Sequence, residues 1–129
     1  MAGSVPTADL PEAAQTFIKE HFPYADIVSC TRDYSDGEFD VDLEEGTDLE
    51  FDYKGNWVEV EAGTMRRLAP VLLEDILPEK AYKELEKRKM TQEVEKVKRS
   101  KDGYKVELRE VKYDDFRFST DGRLLSSRD

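Results

Sequence analysis

The sequence predicts an α+β fold, in which two tandem αββββ repeats form one antiparallel curved sheet with the helices packed on one face. One observation is an internal sequence repeat: "FDYKGNW" at 51–57 is followed 67 positions later by the similar segment "FSTDGRL" at 118–124. A second is a helical spacing of apolar residues near the start of each repeat. A third is the short apolar-polar alternation that follows each helix, broken by turn residues, as in antiparallel strands.

The internal repeat extends over most of the chain. "LPEAA" at 10–14 meets "LPEKA" at 77–81 at the same offset, and "GEFDVDL" at 37–43 matches "GYKVEL" at 103–108. Loops of different length around matching strands are typical of an internal duplication. We therefore expect a single domain over 1–129, with repeat one at about 9–61, a bridging segment at 62–76 and repeat two at about 77–127.

The first helix is predicted from Leu10, with Pro11 in its first turn and Asp9 and Glu12 as a capping box, and Pro23 is expected to end it. A second helix is predicted at about 78–89, and "LAPVLLEDI" at 68–76 is expected to form a short helical segment before it. The residues before the first helix, "MAGSVPTAD", are expected to be a polar leader into the domain.

Eight alternating segments are predicted as strands: 26–34, 38–44, 48–53, 56–61, 93–101, 104–110, 114–119 and 123–127. The apolar positions of the helices and strands should meet in one core. The predicted core residues are Phe17, Ile18, Phe39, Val41, Leu43, Leu49, Phe51, Val58, Val60, Leu85, Val106, Leu108, Phe116 and Phe118.

Turn residues suggest the strand registers of repeat one. Lys54-Gly55 as a two-residue turn pairs Leu49 with Val60 and Glu50 with Glu59. A loop at 45–47 would pair Leu43 with Leu49 and Asp40 with Asp52, and a turn at Asp36-Gly37 would place Cys30 beside Leu43.

These registers give repeat one an acidic outward face. Its predicted members are Asp33, Asp40, Asp42, Glu44, Asp48, Glu50, Asp52, Glu59 and Glu61, with Trp57 among them. The same face of repeat two carries both signs: Lys98, Lys105, Glu107, Arg109, Asp115 and Arg117. Trp57 points outward if Val58 and Val60 point inward, whereas a bulge at the glycine turn would place the indole in the core.

Charge and composition exclude several classes of function. The net charge is −10, and the excess of carboxylates falls in the first half of the chain. Such a chain is a poor nucleic-acid binder, and it contains no apolar run long enough for membrane insertion. One cysteine and one histidine are too few for a zinc site of those ligands, and no catalytic motif is present. We predict no enzyme activity, no cofactor and no dedicated metal site.

The sequence resembles the PepSY-like proteins, often described as beta-lactamase-inhibitor-like, over essentially the whole chain and more strongly in the first repeat than in the second. The resemblance is carried by the "LP" helix start, "FIKEHFP", the "F-x-V-x-L" strand, "GTDLEFD" and "KGNW". The second repeat departs from it, since "KRKMTQ" lacks the Phe-Pro and Leu124 replaces the Trp. The resemblance implies a non-enzymatic, periplasmic or secreted protein, whose signal peptide is absent from this chain, with a sheet that binds a protein or peptide.

Four interpretations of this acidic outward face remain open. We expect a binding or inhibitory module that docks a basic protein or peptide through Trp57, Asp40, Asp42, Glu50, Asp52 and Glu59. The alternatives are a calcium-responsive or self-associating structural envelope protein. The simplest explanation is a solvated acidic surface that keeps the protein soluble.

Overall fold

The computed structural model describes residues 2–108 and 115–128. Over these ranges it has three α-helices, α1 (Glu12–His21), α2 (Pro70–Ile76) and α3 (Glu79–Lys87). Its strands are β1 (Ala2–Ser4), β2 (Ile27–Asp33), β3 (Phe39–Leu43), β4 (Asp48–Phe51), β5 (Trp57–Glu61), β6 (Val94–Ser100), β7 (Gly103–Leu108), β8 (Asp115–Phe118) and β9 (Leu124–Arg128).

The chain divides into two compact units, 1–63 and 64–129, called unit one and unit two below. In unit one, α1 precedes the antiparallel strands β2 to β5, and β1 adds to the edge of β2. In unit two, α3 precedes the antiparallel strands β6 to β9. The predicted fold class, α+β with two tandem αββββ repeats, is confirmed.

Helices α1 and α3 each pack on one face of their own unit's strands. In unit one, the Phe17 ring of α1 meets the Phe51 ring of β4 edge-on, with centroids 5.6 Å apart. Arg88, which follows α3 in unit two, lies over the Phe116 ring at 5.1 Å. Twelve of the fourteen predicted core residues are buried, whereas Phe17 and Val58 are half-buried. The period-two pattern therefore assigned the inner face of the strands correctly except next to Trp57, at Val58.

Two of the three predicted registers are wrong by two residues. Val41 lies opposite Leu49 rather than Phe51, and Cys30 lies opposite Val41 rather than Leu43. The cause is in the loops, where side chains hydrogen-bond to the backbone. Asp33 Oδ1 accepts from the Ser35 N–H at 2.9 Å and Glu45 Oε1 from the Thr47 N–H at 3.1 Å. A slip of two positions preserves which face each side chain occupies.

The third predicted register, between β4 and β5, is correct as far as Glu50 opposite Glu59. After that pair the observed register shifts. Beyond that pair Phe51 lies opposite Trp57, so Val58 is the extra residue of a β-bulge. The bulge turns Trp57 inward, and its side chain is only 6% exposed. The outward orientation predicted for Trp57 is therefore wrong and the alternative of a buried indole is confirmed, but the bulge lies at Val58 and not at the glycine turn as predicted.

Unit two repeats this bulge. Phe118 lies opposite Leu124 after the same kind of shift, and these residues follow Phe51 and Trp57 by 67 positions. Gly55 and Gly122, in the two turns, have φ of +92° and +93°. A Cβ added at Gly55 would lie 2.7 Å from Pro11 Cβ, and one added at Gly122 would lie 2.8 Å from Pro78 Cβ. Each hairpin turn thus contacts the start of its helix so closely that only glycine fits. This contact explains why glycine recurs at the same place in both repeats.

The first residues are part of the sheet rather than a leader. Ala2–Ser4 forms β1, with Gly3 opposite Arg32 in β2, and the Val5 N–H donates to the Cys30 carbonyl at 2.9 Å. A three-residue strand of small residues gives no alternation that a sequence pattern can detect. The expectation of a polar leader is wrong.

Candidate functional site

Six carboxylates occupy the face of the unit-one strands opposite α1, and we call them the acidic face. Cross-strand registers arrange them in two rows. In the first, Asp40 lies opposite Glu50 and Glu50 opposite Glu59. In the second, Asp42 lies opposite Asp48 and Asp48 opposite Glu61. Directly opposed like charges destabilise a sheet, so this arrangement has an energetic cost without a cation.

The structure brings together four of the six predicted binding residues: Asp40, Asp42, Glu50 and Glu59. Glu59 is buried, with 7% of its surface exposed, so it adds negative charge more than accessible surface. The predicted opposition of Asp40 to Asp52 is wrong because of the register slip. The binding role of these carboxylates stays a prediction.

Asp52 belongs to the hairpin turn rather than to the two rows. Its Oδ1 accepts hydrogen bonds from the backbone N–H groups of Lys54 and Asn56, both at 2.9 Å. Ser119 holds the equivalent place in unit two, and its Oγ accepts from the Arg123 N–H at 2.9 Å. Asp52 therefore stabilises the turn. Trp57 packs near Phe17 with ring centroids 6.4 Å apart, so its ring lies on the helix side of the strands and not on the acidic face.

Asp48 and Glu61 join the site although neither was among the predicted binding residues. Oxygens of Asp40, Asp42 and Asp48 lie within 4.8 Å of one another, as do oxygens of Asp48, Glu59 and Glu61. Asp48 belongs to both groups. The predicted outward face contained these two residues, but only the observed register shows that Asp48 is central.

Burial and mutual repulsion change the protonation of Asp48. Burial, hydrogen bonding to Asp40 and repulsion from Asp40, Asp42 and Glu50 raise its pKa to about 9. The Oδ1 atoms of Asp40 and Asp48 are buried without a hydrogen-bond partner among the described residues. Asp48 therefore holds a proton at neutral pH, which relieves part of the repulsion.

The pKa of Glu50, in the first row, is also raised. Burial, a hydrogen bond to Glu59 and repulsion from Glu59, Asp40 and Glu38 raise its pKa to about 7. Ser29 Oγ donates to Asp42 Oδ2 at 2.7 Å in the second row. The acidic face is thus an assembly of oxygen acceptors whose full ionisation is opposed by burial and charge, and a cation would favour that ionisation.

These pKa values predict that acid stabilises the fold over part of the pH range. A carboxyl whose pKa is raised in the folded state binds its proton more tightly there, so stability falls as pH rises through the folded value. For Asp48 and Glu50 the window runs from about pH 4 to about pH 9. We expect the free energy of unfolding to be about 1–2 kcal/mol higher at pH 5 than at pH 8, after allowance for solvent screening.

Urea unfolding at the two pH values measures this difference. Asp48→Asn removes the ionisation with little change of shape and should flatten the slope, whereas Glu20→Gln on the exposed side of α1 should leave it unchanged. A stability that falls steadily from pH 8 to pH 5 would contradict the raised pKa values.

The chain belongs to the PepSY-like family. The sequence model of this family, described as beta-lactamase-inhibitor-like, PepSY-like, matches residues 1–39 and 37–126, almost the whole chain. No curated protein matches.

Solved structures agree with this fold. A protein from Bacteroides vulgatus, described as periplasmic and of unknown function, is 22% identical with a TM-score of 0.82 over 100% of both chains. A second B. vulgatus protein, of the DUF2874 family and described as periplasmic, is 28% identical with a TM-score of 0.81 over 99% of this chain and 97% of that chain. A Bacteroides thetaiotaomicron protein, described as calcium-regulated and periplasmic, is 24% identical with a TM-score of 0.81 over the same shares.

None of the helices in the described residues has the length and apolar character needed to cross a membrane.

Proposed function

We propose that this protein is a non-enzymatic binding module of the periplasm or cell exterior that docks a basic protein or peptide on its acidic face. The supporting observation is the double row of carboxylates, in which Asp48 and Glu50 have pKa values raised to about 9 and about 7. Lysine and arginine side chains of a partner would offset the repulsion that holds protons on these groups. Binding would therefore release protons.

The proposed contact set differs from the sequence prediction. Asp40, Asp42, Asp48, Glu50 and Glu61 provide the acceptors, and Glu59 adds charge from its buried position. With Trp57 buried, the surface has no tryptophan anchor, so electrostatics must contribute much of the binding energy. Such binding is fast and strongly salt-dependent.

A lysine-rich decapeptide carrying a fluorophore tests the proposal by fluorescence anisotropy at low salt. Asp42→Asn/Glu50→Gln removes charge from the face and should weaken binding at least about tenfold, since each lost charge contact costs about 1 kcal/mol or more. Glu12→Gln/Glu20→Gln removes equal formal charge from exposed positions of α1 and serves as the matched control.

The control should weaken binding by no more than about twofold, the share expected from net charge alone. Equal losses in the two variants would mean that the peptide responds to net charge only, and the proposed docking face would be wrong. Proton release on binding, measured in buffers of different ionisation enthalpy, gives an independent check.

A calcium response is a second candidate function. The specific observation in its favour is the pair of carboxylate groups that share Asp48, each with oxygens within 4.8 Å. Calcium takes carboxylate oxygens as ligands and accepts irregular geometry. A similar protein described as calcium-regulated also supports it. Calcium titrated with magnesium as control should raise the melting temperature of the wild type but not of Asp48→Asn, and no shift would exclude this role.

A further inference from the structure

The duplicated sheet gives the two units an equivalent cross-strand row of opposite charge. In unit one the row runs Thr31, Asp40, Glu50 and Glu59 across β2 to β5. In unit two it runs Lys98, Lys105, Arg117 and Ser126 across β6 to β9. The internal repeat aligns these rows position by position, with offsets of 67 or 65. Position by position, Asp40 and Glu50 thus correspond to Lys105 and Arg117, whereas Thr31 corresponds to Lys98 and Glu59 to Ser126.

The spacing of the charges is the same in both rows. Neighbouring strands of a sheet lie about 4.8 Å apart, so successive charges in either row follow that interval. Lys98 and Arg117 are exposed, and Lys105, Asp40 and Glu50 are half-buried. Within a unit, each row places like charges directly opposite each other, which is unfavourable. Contact with a row of the other sign would be favourable.

We propose that the partner of the acidic face is the cationic row of a second copy of this chain. This inference rests on the proposed function and names the partner for that face. The interval of about 4.8 Å is common to neighbouring strands of any sheet, and the second repeat adds cations at row positions that carry carboxylates in the first, Lys105 for Asp40 and Arg117 for Glu50. A single contact between these two different surfaces is heterologous and either closes into a ring or extends, whereas two such contacts made reciprocally give a two-fold dimer.

Sedimentation velocity of the full chain over a concentration series tests self-association. We expect association at about 0.01 M salt and its loss at about 1 M salt, where the Debye length falls from about 30 Å to about 3 Å. A chain that stays monomeric at low salt over the series would overturn the inference.

Charge reversal makes the test specific. One variant, Asp40→Lys/Glu50→Lys, has two cationic rows, and another, Lys105→Glu/Arg117→Glu, has two acidic rows. Neither should associate alone, but an equimolar mixture should regain association, because the row that each variant lacks is supplied by the other. Failure of the mixture to associate, with both variants folded by circular dichroism, would overturn the inference.

A matched control excludes an effect of net charge. Lys87→Glu/Lys101→Glu makes the same charge change at exposed positions of unit two outside the row and should keep association. The variant Lys105→Glu/Arg117→Glu should lose at least about tenfold in association constant. If Asp40→Lys/Glu50→Lys fails to fold, this comparison still decides, since equal behaviour of the two unit-two variants would exclude the cationic row.

The lysine-rich peptide separates this inference from the proposed function. Peptide binding by a wild type that remains monomeric would leave the proposed function standing and overturn the inference. Self-association that survives reversal of either row, without peptide binding, would overturn both.

Discussion

Trp57→Ala is expected to lower the free energy of unfolding by about 3–5 kcal/mol, the usual cost of truncating a buried aromatic side chain. The indole is 6% exposed and lies on the inner side of the bulge between β4 and β5. Its ring is 6.4 Å from that of Phe17, which in turn contacts Phe51. Removing the indole leaves a cavity beneath α1 that the hairpin and helix can fill only in part.

The measurement is chemical denaturation followed by circular dichroism, with the emission of the native protein recorded in parallel. Trp57 is the only tryptophan, so fluorescence reports on it alone. Emission should be blue-shifted and poorly quenched by caesium, although carboxylates would attract that cation. Red-shifted emission with strong quenching would contradict burial.

Two variants control for the position. Trp57→Phe keeps an aromatic ring and should retain much of the lost stability. Leu124→Ala truncates the equivalent residue of unit two, which is only half-buried, so its cost should be smaller. A loss below about 1 kcal/mol for Trp57→Ala would mean that the bulge does not place the indole in the core.

The faces of most strand residues could be predicted from the sequence, whereas two of the three predicted registers are wrong. Alternation assigns Val41 and Leu49 inward and Asp40 and Glu50 outward whichever residues lie opposite them, because the side-chain period is two. The register depends on how each loop closes. In unit one it is set by hydrogen bonds that the Asp33 and Glu45 carboxylates accept from the backbone N–H groups of Ser35 and Thr47. Such bonds exist only in the folded loop. Turn propensities alone therefore predicted strand pairings in two hairpins that differ by two residues from the observed ones.

The same limit applies to the candidate site. The sequence identified Asp40, Asp42, Glu50 and Glu59, since each lies at an outward position. The central place of Asp48 required the true register, which sets it between Asp42 and Glu61. The burial of Trp57 had a signal in the repeat itself: Leu124 occupies the matching position two residues after the glycine. An apolar residue in both copies is the pattern of an inward position.

Phe51→Ala is expected to lower the free energy of unfolding by about 3–5 kcal/mol. Phe51 is fully buried in β4 and contacts Phe17 at 5.6 Å, so its ring couples the sheet of unit one to α1. Phe118 is its counterpart in unit two, where its ring stacks 6.5 Å from that of Phe116. Because the two phenylalanines hold equivalent, fully buried positions in the repeats, Phe118→Ala should cost a similar amount. Leu125→Ala, at a position 54% exposed, is the control and should stay within about 0.5 kcal/mol of the wild type.

Urea melts monitored at several wavelengths would measure these losses. Amide hydrogen exchange adds the location, since Phe51→Ala should increase exchange most in α1 and in β3 to β5. A loss for either phenylalanine as small as that for Leu125→Ala would contradict its place in the core. Similar large losses at Phe51 and Phe118 would mean that each repeat depends on the same ring at the same position, which is the expected energetic result of a duplicated helix-and-sheet unit.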